Sequence, residues 1–182
     1  MYEEDNKPNA EGYYREKQYK QLKTVYLEGH VYKGKLINDQ KNGEGETIYS
    51  KGDKYKGYYK NDLRDGTGVY EFKMKAKYEG EYKDGKRHGK GKYYFANGNI
   101  YEGQFQDGRI EGKGKMVFSN GDKYVGDWKN GYMEGNGDYY YNCLDKYSGT
   151  FFHGLFEGNG VYITRDGKEY RGKFRNGFFM GK

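Results

Sequence analysis

Aromatic and polar positions alternate along this chain, and the alternation itself repeats. A tyrosine recurs at Tyr32, Tyr55, Tyr78, Tyr101, Tyr124, Tyr147 and Tyr170, always 23 residues apart. A glycine follows two residues after each, at Gly34, Gly57, Gly80, Gly103, Gly126, Gly149 and Gly172. Two residues further on stands a bulky apolar residue: Leu36, Tyr59, Tyr82, Phe105, Trp128, Phe151 or Phe174. Counting each repeat from its tyrosine, positions 1, 3 and 5 share one face of an extended strand and positions 2, 4 and 6 share the other. A period of roughly 20–50 residues marks an array of identical supersecondary units.

Positions 7 and 8 predict the turn that ends this strand. They read Asp84-Gly85, Asp107-Gly108, Asn130-Gly131 and Asn176-Gly177, with His153-Gly154 and two Asn-Asp pairs as variants. Asn-Gly and Asp-Gly tolerate φ > 0, which matches the twist of flanking strands, so a hairpin follows. The second half of each repeat, Gly-x-Gly and then aromatics such as Tyr93-Tyr94-Phe95, reads as the returning strand. Of the 31 glycines, 30 fall in phase at positions 3, 8, 12, 14 and 21. So many glycines and rings disfavour helix. A two-residue turn places position 1 opposite 14 and position 3 opposite 12, with each tyrosine ring lying over a glycine of the next strand. The period is odd, so one connection per repeat must hold an odd residue or a bulge; otherwise every second repeat turns inside out.

The domain reading follows. Residues 1–22 form an N-terminal segment outside the phase, partly disordered or capping, with a short helix over Tyr13–Leu22 and an extended cap as equal alternatives. The array runs from 23 to 182: a half repeat at 23–31, six full repeats at 32–169 and a terminal half repeat. The expected fold is all-β, an elongated single-layer antiparallel sheet of tandem 23-residue hairpins with about 14 strands.

Composition narrows the function more than the fold. Only 34% of the chain is hydrophobic yet 19% is aromatic. Such polarity usually means disorder, but strict periodicity and abundant tyrosine argue for a thin structure with a ring-built face. The net charge of +6 is uneven. Residues 32–100 carry 16 basic and 10 acidic side chains, residues 101–169 carry 8 and 11. The lone Cys143 excludes a disulfide framework and a cysteine metal site. No apolar run approaches the ~18–20 residues of a membrane helix, and Met1–Ala10 is no signal peptide. His30, His88 and His153 occupy different repeat positions and read as surface residues. Gly108–Gly114 lacks the spacing of a phosphate loop. The residues therefore give no reading of an enzyme, a cofactor or a metal.

One margin changes character along the array. Position 10 runs Lys41, Arg64, Arg87, then Ile110, Met133, Phe156, Phe179, and position 9 ends with Tyr132, Leu155, Phe178. Apolar members either pad the hairpin tips or form an interface.

The stretch Tyr78–Phe95 resembles the MORN (membrane occupation and recognition nexus) repeat: Tyr-x-Gly-x-aromatic, a glycine turn, then Gly-x-Gly. The resemblance covers residues 23–182, with Lys75 and Leu144 replacing the position-21 glycine and Leu36 replacing a ring. It implies a twisted antiparallel sheet serving as a scaffold. The pairing of Tyr139-Tyr140-Tyr141-Asn142 with Asp145, Tyr147 and Phe152-His153 is similar to radial-spoke-head repeats. The expected function is thus a non-catalytic protein-interaction module of a cytoskeletal assembly, first of all the ciliary axoneme, in the cytoplasm. Its partner, a helix or extended segment, would meet Tyr82, Phe105, Trp128 and Phe151 on the face and Met133 and Phe156 at the margin. The alternative is a tether to anionic lipid or phosphoinositide through Lys41, Arg64, Lys86, Arg87, Arg171, Lys173 and Arg175. No nucleic acid is expected. The open edges allow weak head-to-tail self-association, which the basic residues on them oppose.

Overall fold

The computed structural model describes residues 23–27 and 29–182. The expectations for residues 1–22 lie outside the described residues. Fifteen antiparallel strands form one open sheet in sequence order, and among the described residues there is no helix. The strands are β1 Lys23–Leu27, β2 His30–Ile37, β3 Gln40–Tyr49, β4 Lys54–Lys60 and β5 Leu63–Glu71. Then come β6 Lys77–Lys83, β7 Lys86–Tyr94, β8 Ile100–Gln106, β9 Arg109–Val117 and β10 Lys123–Lys129. The last five are β11 Tyr132–Tyr140, β12 Lys146–Phe152, β13 Leu155–Ile163, β14 Glu169–Arg175 and β15 Phe178–Gly181. The fifteenth exceeds the expected count because Phe178–Gly181 pairs with β14 instead of ending as an exposed tail.

The hairpin turns are as the sequence implies. Positions 7 and 8 both take positive φ, for example 49° at Asp84 and 80° at Gly85. Beyond the turn the register differs from the expectation by two residues. Position 5 meets 10, as Tyr82 meets Arg87, but position 3 meets 14, as Gly80 meets Gly91, and position 1 meets 16, as Tyr78 meets Tyr93. The two extra residues are a bulge around the position-12 glycine, whose φ is 59° at Gly89 and 102° at Gly135. Position 4 closes the bulge: Glu81, Gln104 and Asp127 accept the backbone N–H of Lys90, Lys113 and Asn136 at 2.8–2.9 Å. The odd step that an odd period demands lies in the other connection. Position 17 pairs with position 23, as Ile48 with Lys54, across five residues. At the start of the array β1 departs from this register. Val25 pairs with Tyr32 and Leu27 with His30.

The core is a single file of rings. From Tyr32 to Tyr147, each position-1 tyrosine folds back over its own position-3 glycine and over the position-14 glycine across the hairpin. Tyr78 covers Gly80 and Gly91 in this way, and its hydroxyl donates to the Glu81 carbonyl at 2.9 Å. Tyr32, Tyr55, Tyr101, Tyr124 and Tyr147 repeat that bond to their own position-4 carbonyls. Position 5 of one repeat stands edge-on to position 1 of its own repeat and of the one before. Phe105 is 5.3 Å from Tyr101 and 5.0 Å from Tyr78, at 87° and 82°. Such edge-to-face pairs contribute about 0.5–1.5 kcal/mol each beyond area burial. Repeated down the array, they supply a core to a sheet that has no second layer.

Candidate functional site

The rings split into two tiers, and only the outer one is open. The inner tier holds the face residues that the sequence suggested for a partner. Tyr82 is 5% exposed, Phe105 4%, Trp128 5% and Phe151 3%. They are covered by the chain itself because a one-layer sheet has nothing else to bury against. The Trp128 indole N–H is also spent on the Gly114 carbonyl at 3.2 Å. Met133 and Phe156 are half-buried and pack onto this tier; Phe156 stacks on Tyr147 at 3.7 Å.

The outer tier comes from positions 16 and 18, at the loop end of the strands. Tyr49, Tyr70, Phe72, Tyr93 and Phe95 form one half-buried run with ring centroids 4.5–6.0 Å apart. Met116, 6% exposed, interrupts it. Phe118, Tyr139, Tyr141 and Tyr162 then form a second run at 4.8–5.9 Å. Alternation around Tyr93-Tyr94-Phe95 suggested rings on the returning strand, but not that they would stay open while those of positions 1 and 5 closed.

Carboxylates at position 22 hold this tier in place, and the sequence reading missed them. Asp53 accepts from the Tyr70 hydroxyl at 2.8 Å and from the Lys73 N–H at 2.9 Å. Asp122 does the same with Tyr139 and the Asn142 N–H, and Asp145 with Tyr162 and the Arg165 N–H. Each clamp joins the loop of one repeat to the strand of the next. The signal was available: Asp53, Asn99, Asp122 and Asp145 recur at one repeat position. The hydrogen bonds from Lys73 and Tyr70 hold Asp53 below the ordinary carboxylate range. Burial alone would raise Asp122, but the N–H of Asn142 and the side chains of Tyr139 and Asn120 outweigh it and lower the carboxyl. Burial pushes the Tyr70 and Tyr139 hydroxyls upward, and the neighbouring aspartates add to the shift.

The basic margin divides as well. Lys41 lies over Tyr32 and Tyr59 at 5.2 and 5.6 Å and is 9% exposed. Arg64 lies 5.1–5.7 Å from Tyr55, Tyr70 and Tyr82 and donates to the Gly85 carbonyl. Arg87 lies 5.1–5.8 Å from Tyr78, Tyr93 and Phe105 and donates to the Gly108 carbonyl. Lys41 therefore acts as a buried cationic packing piece, while Arg64 and Arg87 are half-buried, packed on rings with one guanidinium hydrogen bond each. Lys86, Arg171, Lys173 and Arg175 are exposed, with Lys86 3.7 Å from Asp107 and Arg171 3.4 Å from Glu169. The hairpin tips of the last repeats are apolar and open: Tyr132 54%, Phe152 54%, Leu155 48% and Phe178 73% exposed. His153 stands between Tyr132 and Phe152, 3.6 Å from Glu134. Among the described residues no group of three or more His, Cys, Asp or Glu is placed to hold a metal ion. No helix of those residues is long and apolar enough to cross a membrane.

The family model of the MORN repeat matches residues 32–54, 55–76, 78–100, 101–123, 124–142, 147–169 and 170–182. The chain belongs to the MORN repeat family. The match to the second and fifth MORN repeats stops short at residues 76 and 142, around the connections where Lys75 and Leu144 take positive φ without being glycine. Among solved structures, the TCP domain of SAS-4 (dCPAP) of Drosophila melanogaster, in complex with a proline-rich motif of Ana2 (dSTIL), is similar in fold. Its TM-score is 0.51 at 15% identity, covering 89% of this chain and 84% of that one. The TCP10 domain of Danio rerio CPAP, in complex with a peptide of Danio rerio STIL, has TM-score 0.40 at 12% identity, over 80% of this chain and 74% of that one. No curated protein matches the chain.

Proposed function

We propose that this MORN array is a non-catalytic scaffold module that holds a partner protein segment along its outer ring tier. The observation that carries the reading is the split between tiers. The inner rings form a closed, edge-to-face file, while the outer rings stay half-open in a line, with Tyr70, Tyr139 and Tyr162 fixed in orientation by Asp53, Asp122 and Asp145. Rigid, oriented aromatic surface is what interface hot spots are made of. The TCP domain of similar fold is found with a proline-rich motif of its partner, which supports a protein partner for this architecture. The setting we propose is a cytoskeletal assembly, and within it the ciliary axoneme, on the resemblance of repeats five and six to radial-spoke-head repeats.

Affinity purification with the intact chain, beside a Phe72→Thr, Tyr93→Thr double variant, tests this. We expect a discrete set of partners that the variant loses. Partners retained in full by the variant would sink the outer tier as the site. Co-sedimentation with anionic vesicles at two salt concentrations separates the lipid alternative, which with Lys41, Arg64 and Arg87 packed on rings rests on Lys86, Arg171, Lys173 and Arg175. Salt-sensitive vesicle binding lost on neutralising those four would favour the tether instead.

A further inference from the structure

The outer tier has a spacing as well as a chemistry. Neighbouring strands lie about 4.8 Å apart, so each hairpin advances the array by roughly 9.6 Å and brings the next pair of rings. A polyproline II helix rises about 3.1 Å per residue with three residues per turn, or roughly 9.3 Å per turn. One turn therefore meets one repeat. Seven residues of α-helix advance about 10.5 Å, so pitch alone separates the two by only about 1 Å per repeat. Twist favours the polyproline helix. Neighbouring strands rotate by about 20–25°, so a row at the loop end of the strands winds around the array. A polyproline helix has no internal hydrogen bonds to break when it bends to follow.

The run from Tyr49 to Phe95 adds a charge preference. Along its inner border the guanidinium of Arg64 lies 5.2 Å over Tyr70 and that of Arg87 lies 5.1 Å over Tyr93. One hydrogen bond to a backbone carbonyl is formed by each, while a guanidinium carries five donors. This run also lies in the stretch 32–100, with its 16 basic and 10 acidic residues. The run beyond Met116 is bordered instead by the apolar Met133 and Phe156.

We propose that the Tyr49–Phe95 run takes a proline-rich segment in the polyproline II conformation, lying along the array at one turn per repeat, with acidic residues between the prolines facing Arg64 and Arg87. The inference rests on the protein-interaction reading above and names its ligand. Flat rings match pyrrolidine faces, and a segment already extended in solution loses little conformational freedom on docking.

Selection of a displayed library of random peptides, about twelve residues or four turns long, on the intact chain tests it. We expect enriched peptides with proline at every third position and Asp or Glu between. They should bind at least about tenfold more weakly to the Phe72→Thr, Tyr93→Thr variant, a loss of about 1.4 kcal/mol. Sibling repeats already hold Thr164 and Thr47 at those two positions, so the variant should keep its far-ultraviolet circular dichroism. The Arg64→Met, Arg87→Met variant copies Met133 in the same slot; it should keep the proline period and lose the acidic preference. Helix-forming peptides, or peptides without a proline period, that still depend on Phe72 and Tyr93 would overturn the proposal and leave the interaction reading standing. Selection that enriches nothing sensitive to those two residues would overturn both.

Discussion

In the first three repeats position 10 holds Lys41, Arg64 and Arg87; in the next three it holds Ile110, Met133 and Phe156. The slot is the same in both halves, among the position-1 and position-16 rings of one repeat and the position-5 ring of the next. Arg64 fills it over Tyr55, Tyr70 and Tyr82. Phe156 fills it at 3.7 Å from Tyr147 and 6.1 Å from Phe174, but its third ring, Tyr139 at 6.3 Å, belongs to the repeat before, where Arg64 covers Tyr70 of its own repeat. What the slot selects is reach and contact with ring faces, not hydrophobicity. A cation attracted to aromatic faces serves when its polar end finds a carbonyl, as Arg64 does at Gly85. The halves also differ at position 5, which is Tyr59 and Tyr82 on one side and Phe105, Trp128, Phe151 and Phe174 on the other.

Alkaline titration should break the halves apart with the largest effect. Burial pushes Tyr55 and Tyr147 up to about 12, and raises Tyr59, Tyr78, Tyr82, Tyr101 and Tyr124 as well. The unfolded chain releases these protons near pH 10 and the folded chain holds them longer. Their stabilising contribution is therefore whole below about pH 10 and is lost as pH climbs toward the raised values. Tyr59 and Tyr82 add ionisable core rings to the N-terminal half alone. Far-ultraviolet circular dichroism should begin to fall at lower pH than the fluorescence of Trp128, the single tryptophan, changes. Coincident transitions would show that the array unfolds as one unit.

Glycine substitutions under the rings should instead hit both halves alike. A Cβ at Gly91 would stand 2.6 Å from Cε2 of Tyr78, and one at Gly137 would stand 2.6 Å from Cζ of Tyr124. Both contacts lie inside van der Waals distance, so Gly91→Ala and Gly137→Ala should each cost about 3 kcal/mol. Urea unfolding measures this, and a cost under about 1 kcal/mol for either would mean that the ring is free to move.

The slot itself is compared by exchange. Phe156→Ala should cost about 2 kcal/mol, below the full value for a core phenylalanine because the ring is only half-buried. Arg64→Ala should cost about 1 kcal/mol, and Arg64→Met close to nothing. A costly Arg64→Met would mean that the guanidinium is needed for its hydrogen bond and not for its coverage of the rings.

The smallest effect belongs to the turns. Leu144 and Lys75 stand at φ 75° and 66°, where the sibling repeats have glycine. Leu144→Gly and Lys75→Gly should each raise stability by about 0.5–1 kcal/mol, the left-handed strain relieved less the added freedom of the unfolded chain. Thermal melts showing a lower midpoint would indicate that these side chains make contacts worth more than the strain.

The sequence by itself determined the fold class, the hairpin turns and the family, because glycines and rings in phase obey local rules that need no distant contact. Asp84-Gly85 specifies its turn whatever surrounds it. Parity required an odd step somewhere in the repeat but could not place it. The pairing of Gly80 with Gly91 depends on a bulge at Gly89, which in the sequence is one more in-phase glycine. Which rings stay open was likewise decided in three dimensions. Tyr82 and Tyr93 look alike in the chain, yet Tyr82 meets the position-1 ring of the previous repeat and closes, while Tyr93 sits at the strand end beside its own row, Tyr78 and Arg87 and stays half-buried. Arg64 and Arg87 looked like free surface charge because, beside one ring of their own strand, the rings beneath them come from the neighbouring strand and from the next repeat, and only the folded sheet brings those within reach.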